Sequence, residues 1–393
     1  MKNILLSMVA LSTLAMGAAD VKTPHERIDK AKKATSEAQT QASEKSILDR
    51  FHFKGDLRLR YESIERDDTL DADNKYRNRY RLRLGSTVDL TDNLHFEVGM
   101  RSGFANPTSG NQTFSNTEPL SNYFWESLRF NILGLAYKSG NSTYKVGRQP
   151  YMIYRPVKSQ LIWDNDVSLN GVNYQYNDDT KIITLGANQP TLEELSSAKE
   201  DVNLLIAQYV HKIKLAPAQL NLGSGIYYYD GLKGNNPLFQ NNNKGNTVDT
   251  NGLYTNDYHL VEGFAELKFK DVLGEPLKFA AGVVYNFGAD EKNFGYDVAV
   301  QVGKAKEVND WQVKYSYTDL QEDATYGAYS DSDNFGGGTA SKGHAIRAKF
   351  KAGKNLYLAG NFFFNKLYES RAKNGFTAEV DYERVQLDMI YKF

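Results

Sequence analysis

The chain has 393 residues, of which 41% are hydrophobic and 24% charged, and its formal net charge of -1 gives no reason to expect nucleic acid or a strongly acidic partner. It carries 26 Tyr and 20 Phe at a mean hydropathy of -0.56 and has no cysteine, a usage that favours an exported protein. Met1-Lys2, the apolar run Ile4 to Leu14 and the small residues of "AMGAAD" predict a secretory signal over 1–19, cleaved near Ala19. The run is too short to span a bilayer, and no later stretch approaches 18 consecutive apolar residues. A membrane-embedded mature chain would therefore not cross as helices.

Residues 24–46 contain no aromatic residue and are rich in Ala, Lys, Glu and Gln. Ile28, Ala31, Thr35, Ala38 and Ala42 form a thin 3-4 seam, so 20–50 is expected to be a short helical or disordered linker. From Phe51 the period becomes two. Phe51, Phe53, Leu57, Leu59 and Tyr61 fall on one face, with His52, Lys54, Asp56, Arg58, Arg60 and Glu62 on the other. In "YRNRYRLRLG" Arg77, Arg79, Arg81 and Arg83 alternate with Tyr76, Asn78, Tyr80 and Leu82. About sixteen such segments follow one another, ending on Val385-Leu387-Met389-Tyr391-Phe393.

The joints between segments alternate in length. Tight ones fall at Thr91-Asp92, Ser139 to Asn141, Asn177 to Asp179, Ala216-Pro217, Glu307 to Asn309 and Gly353. Long polar ones fall at 64–75, 105–122, 149–165, 230–255, 321–341 and 369–379. An even number of long strands with loops at one end and turns at the other predicts an all-β fold, a transmembrane antiparallel β-barrel of about sixteen strands over 51–393. Lipid then takes the apolar face, and the arginines face a water-filled lumen. Aromatics near segment ends, including Tyr61, Tyr76, Tyr176, Tyr227 to Tyr229, Tyr285, Phe287 and Tyr391, are expected to form interfacial girdles.

"GDLRLRYE", the Arg-alternating second strand, "NPTSGNQTFS" and "VGRQPYMIYRPVKSQLIWDNDVSLNGV", with the signal and the terminal aromatic, resemble the porins and Opr-type major outer membrane proteins of Gram-negative bacteria. The resemblance covers most of the chain from Phe51. It implies a homotrimeric passive channel in the bacterial outer membrane, whose third long loop, 149–165, folds inward as a constriction. It also implies that the terminal Phe393 acts as an assembly signal read by the barrel assembly machinery. The expected surroundings are outer-membrane lipid and lipopolysaccharide, and the expected cargo is ions and small hydrophilic solutes. Residues 24–46 stand outside the family pattern, and a peptidoglycan contact is one reading of them.

The residues expected to set the channel's field are Arg58, Arg60, Arg77, Arg79, Arg81, Arg83 and Arg101, permanently charged and suited to passing anions. The competing reading pairs them with Asp56, Glu62, Glu97 or an inward loop. The loop contributes Tyr151, Tyr154, Arg155, Lys158, Asp164 and Asp166, and its bulky Met152, Ile153, Leu161 and Trp163 exceed what an exposed loop needs. The acidic loop 64–75 lacks the glycine and terminal glutamate of a calcium loop and reads as solvated, so no metal or other cofactor is expected. Loops 230–255 and 321–341, rich in Asn, Gly and Ser, read as mobile surface loops. No hydrolase, metalloprotease or nucleotide fingerprint is present, so the chain is expected not to be an enzyme. The alternatives are an anion-selective, substrate-specific channel and a structural or adhesive barrel.

Overall fold

The computed structural model describes residues 47–68, 74–103, 106–114, 128–190, 201–239, 242–373 and 376–393. The chain divides into two units, Met1–Arg50 and Phe51–Phe393. The signal expected over 1–19 and nearly all of the 20–50 segment lie outside the described residues. Within the first unit only a 3-10 turn at Ile47–Arg50 is described.

The second unit is one antiparallel sheet closed on itself. Its strands are β1 (Phe51–Arg66), β2 (Lys75–Asp89), β3 (Leu94–Arg101), the two-residue β4 (Gln112–Thr113), β5 (Arg129–Ser139), β6 (Ser142–Pro150), β7 (Ser168–Asn177), β8 (Lys181–Gln189) and β9 (Asn203–Leu215). They continue with β10 (Ala218–Asp230), β11 (Tyr258–Val272), β12 (Glu275–Asn286), β13 (Phe294–Gly303), β14 (Trp311–Leu320), β15 (Ser341–Lys351), β16 (Leu356–Leu367) and β17 (Val380–Lys392). Each long strand pairs with its neighbours in sequence, and β17 pairs back onto β1 from Asp56↔Lys392 to Arg66↔Tyr382. β4 extends β3's place beside β2, at Arg79↔Thr113 and Tyr80↔Gln112. Sixteen long strands therefore form the ring, as the periodicity predicts. Turns of a few residues close one end, and longer loops cluster at the other.

The pleat sorts side chains in the inverse of a soluble protein. On β1, Leu57, Leu59 and Tyr61 on the outer face are 40%, 37% and 43% exposed, whereas inward Asp56, Arg58, Arg60 and Glu62 are 6%, 8%, 3% and 0% exposed. Val298, Leu387, Met389 and Tyr391 continue the apolar exterior. Such a surface suits hydrocarbon, where every backbone N–H and C=O must find a partner inside the protein. Closure supplies those partners, since a sheet without edges leaves no unpaired row.

The seam ends on a tight fit. Gly55 donates from N–H to the Phe393 carbonyl at 2.8 Å, and Phe393 donates back to the Gly55 carbonyl at 3.1 Å. A Cβ at position 55 would meet ring carbons of Phe393 at 2.6 Å, so the glycine makes room for the terminal ring.

The interior is not empty at the loop end. Trp163, Tyr227, Tyr229, Tyr254, Tyr258, Tyr326 and Tyr329 form an aromatic core there with Leu204, Leu232 and Leu260. This corrects the girdle expected at 227–229. Alternation sends Tyr227 and Tyr229 inward, both 0% exposed, and leaves only Tyr228 outside. Loop 321–340, within the 321–341 stretch expected to be a mobile surface loop, is also largely buried inside the barrel. Its glycines serve close approach: Gly336, Gly337 and Gly338 have φ of 71°, 92° and 91°, and a Cβ on Gly338 would run into the Lys244 carbonyl. Loop 231–257 is anchored beside it through Leu238 and Phe239, both buried.

Replacing Gly55→Val should displace the Phe393 ring and weaken the seam by about 1–3 kcal/mol. The expected outcome is a lower transition temperature in the heat-dependent gel mobility of the folded barrel, and an unchanged transition would show that the ring has room to move.

Candidate functional site

The register of β1 on β2 dictates the charge problem of the inner wall. Asp56 lies opposite Arg83 and Glu62 opposite Arg77, but between them Arg58 faces Arg81 and Arg60 faces Arg79. Like charges directly opposite on one face repel, and in a buried setting they need carboxylates from elsewhere. Some come from the same strands. Asp56 accepts from Arg81 Nη2 at 2.8 Å and Arg83 Nε at 2.6 Å. Glu62 accepts from Arg77 Nε at 2.6 Å, Arg79 Nη1 at 3.2 Å and Arg384 Nε at 3.0 Å.

The other carboxylates come from distant parts of the chain. Arg60 forks onto Asp388 of β17, Nε to Oδ1 at 2.6 Å and Nη2 to Oδ2 at 2.8 Å, and reaches Asp333 of loop 321–340 at 3.1 Å. Arg83 also donates to Asp166 of loop 151–167 at 3.1 Å, with Arg81 Nη1 at 3.6 Å. Arg58 donates to Asn111 Oδ1 at 2.5 Å and lies 3.8 Å from Asp388. Arg101 donates instead to the carbonyls of Asn106, Pro107 and Asp166. Glu97 plays no part in this ladder and accepts from Lys145 at 3.2 Å.

Loop 151–167 leaves β6 and seats on the far wall before returning to β7. The Tyr154 hydroxyl donates to Glu266 of β11, its ring lies 5.8 Å from Phe264, and Val157 N–H donates to Glu266 Oε1 at 3.0 Å. Ser159 Oγ donates to Asp297 of β13 at 2.5 Å, and Lys314 of β14 donates to the Val157 carbonyl at 3.0 Å. Tyr151 and Arg155 hold the loop's own shape: the Tyr151 hydroxyl donates to the Asp164 carbonyl at 2.8 Å, and Arg155 donates to the carbonyls of Ser159 and Trp163.

Two inward loops are joined to each other. Asp164 N–H donates to the Tyr329 carbonyl at 2.7 Å, Asp331 N–H to the Gln160 carbonyl at 3.2 Å, and Ser332 N–H to Asp164 Oδ2 at 2.9 Å. Asp164 and Asp166 therefore differ in environment. Burial, with Asp166 and Asp331 alongside, pushes the Asp164 carboxyl well above the usual carboxylate range. Burial acts on Asp166 too, but Arg81, Arg83 and Arg101 outweigh it and hold that carboxyl low. Asp333 is likewise held well below its ordinary value, burial being overcome by Arg60 and Arg384.

Two charged cavities flank this junction. One, of about 340 Å³, opens at the loop end, and the other, of about 290 Å³, lies toward the turns; both touch Thr108 and Ser332. The second is lined by Arg58, Arg60 and Arg81 against Asp166, Asp333 and Asp388. Below it three ammonium groups surround the Tyr357 ring: Lys349 at 4.6 Å, Lys392 at 4.8 Å and Lys351 at 5.8 Å. Burial, then Arg155, Lys392 and Lys278 nearby, lowers the pKa of Lys158. Among the described residues no group of His, Cys, Asp and Glu is arranged to hold a metal ion. Sequence reasoning missed Arg384, Asp388 and Asp333. The first two carry a signal, the alternation Tyr382-Arg384-Gln386-Asp388, which closure brings beside β1.

A closed sixteen-strand barrel with an apolar exterior and a charged interior crossed by loops is the architecture of an outer-membrane channel. The family described as "Putative porin" matches residues 66–259 and 263–393, and the chain belongs to it. Similar solved structures include OprB of Pseudomonas putida, 14% identical over 88% of this chain and 95% of that one, with a TM-score of 0.57. DcaP, an outer membrane channel of Acinetobacter baumannii, is 15% identical over 87% and 97% of the two chains with a TM-score of 0.51. OmpF of Salmonella typhi, solved with daunomycin, is 12% identical over 87% and 97%, also at 0.51. These likenesses are in the fold. A comparison with curated protein sequences finds no match. The family and the fold are those of a channel and point to the bacterial outer membrane.

Glu62→Gln should leave Arg77, Arg79 and Arg384 without their shared carboxylate and cost about 3 kcal/mol. The check is the midpoint of denaturant unfolding in detergent, and a midpoint within error of the parent would show that solvent screens these arginines.

Proposed function

We propose that this protein is a passive diffusion channel of the bacterial outer membrane, conducting ions and small hydrophilic solutes. Loop 151–167 acts as its constriction, and Arg58, Arg60, Arg77, Arg79, Arg81, Arg83 and Arg101 line the narrowed wall. The observation that carries this reading is the path of the loop: it crosses the barrel from β6 to a seat on β11, β13 and β14, and where it is bonded to loop 321–340 the two loops stand between two cavities rich in charge. A plug made only for rigidity has no need of ionised side chains on both of its sides, whereas a selectivity region uses them to set the field.

The same reading extends to the rest of the chain. Residues 1–19 are the export signal, 20–50 a periplasmic segment open to a peptidoglycan contact, and 51–393 the barrel. Long loops face outward toward lipopolysaccharide and short turns face the periplasm. Phe393 is the assembly signal read by the barrel assembly machinery, and the functional unit is a homotrimer.

The test is insertion of the purified protein into a planar bilayer under a salt gradient. Stepwise conductance in multiples of three with an anion-favouring reversal potential is expected, and absence of conductance would overturn the channel reading. Lys158→Glu combined with Lys349→Glu should move the potential toward cations by several-fold in permeability ratio; no shift would remove these lysines from the conducting path. Deletion of Phe393 should cut the amount of folded protein in the outer membrane, and normal surface levels would refute the assembly role.

A further inference from the structure

The cavity of about 340 Å³ at the loop end differs from its neighbour in one respect. Eight basic side chains line it and no acidic one does. The carboxylates near it stand behind the arginines, with Glu62 bonded to Arg77, Arg79 and Arg384 and Asp68 bonded to Arg66 at 2.8 Å. Glu62 serves three of these guanidinium groups and Asp333 reaches only Arg384 among them, so the carboxylates are outnumbered and the wall is net positive.

Two further cations complete it from loops between strands. Lys244 comes from loop 231–257, and Arg371 from the segment between β16 and β17. Thr339 joins them, its N–H donating to the Lys244 carbonyl at 2.8 Å and its own carbonyl accepting from Arg371 Nη1 at 3.0 Å. Among the described residues no carboxylate lies within ion-pair distance of either. The floor adds hydroxyls of Thr108, Ser109, Ser330 and Ser332. Backbone closure holds these groups in place: Asn246 donates to the carbonyls of Glu322 and Thr325 at 2.7 and 2.8 Å, and Thr247 is bonded to Asp323.

A positive wall, a hydroxyl floor and room for roughly ten waters match a small solute carrying two or more negative oxygens. We infer that this cavity is a binding site for small multiply charged oxyanions, of the dicarboxylate or phosphate class, with Lys244 and Arg371 as the ligand-facing cations. This rests on the channel reading above and deepens it. A solute would be captured at the mouth before meeting the paired arginines of the interior. Attraction of this kind raises local solute concentration and weakens with salt.

Equilibrium binding tests the site without requiring conduction. Calorimetric titration of the full barrel in detergent at low salt would use succinate, inorganic phosphate and glucose as probes. Saturable binding of succinate, phosphate or both, with none of glucose, is expected, and the stronger of the two anions assigns the carboxylate or the phosphate class. Lys244→Gln with Arg371→Gln should weaken it at least tenfold, Lys244→Arg alone should retain it, and Lys304→Gln in a distant turn should leave it unchanged. Folding of each variant is checked by its heat-dependent gel mobility. No saturable anion binding, or equal binding by the double variant, overturns the inference. A protein that binds but does not conduct would sink the channel reading alone, and one that conducts without binding would sink only the site.

Discussion

Two rungs of arginine facing arginine, Arg58 on Arg81 and Arg60 on Arg79, constrain the rest of the interior. No carboxylate from β1 and β2 alone balances four guanidinium groups packed at this spacing, because Asp56 and Glu62 are already shared with Arg83 and Arg77. The deficit is met by Asp388 across the seam, Asp333 from one inward loop and Asp166 from the other. The same ion pairs that neutralise the wall thus draw two loops into the barrel and fix where they cross. Buried ion pairs offset a large desolvation cost, and their net value lies in position more than in stability.

The outside obeys a simpler rule. Hydrocarbon offers no hydrogen bonds, so the sheet must close, and side chains sort by pleat into an apolar exterior and a polar interior. The two constraints meet at the seam. β17 supplies the last row of backbone partners, and on its inner face it supplies Arg384 and Asp388 to the ladder.

The outer rule was legible in the sequence and much of the inner one was not. Period-two alternation and the sorting of short and long joints are local signals, enough for sixteen strands, their faces and the place of the third long loop. The arginines of β1 and β2 could be put on the inner face for the same reason. Asp56, Glu62 and an inward loop could be offered as their partners, but Asp388 and Asp333 could not, because those depend on barrel closure and on contacts between residues hundreds of positions apart. The glycine tract 336–338 misled for a related reason: backbone freedom reads as mobility in sequence, but here it permits contact with Lys244. Tyr227 and Tyr229 misled because aromatic content alone does not say which face of a strand a ring occupies.

The spread of partners along the chain has a kinetic consequence. Most strand pairings join sequence neighbours and can form as successive hairpins, with short loops to close. The pairing of β1 with β17 spans nearly the whole chain, from Asp56 to Lys392, and Asp388 arrives with it. Until then Arg60 lacks its forked partner, so the earliest strands stay solvated at their most charged positions. Water must therefore solvate these charges in the nascent interior until the final strand docks, and the ion-paired cross-section is the last thing the folding chain acquires.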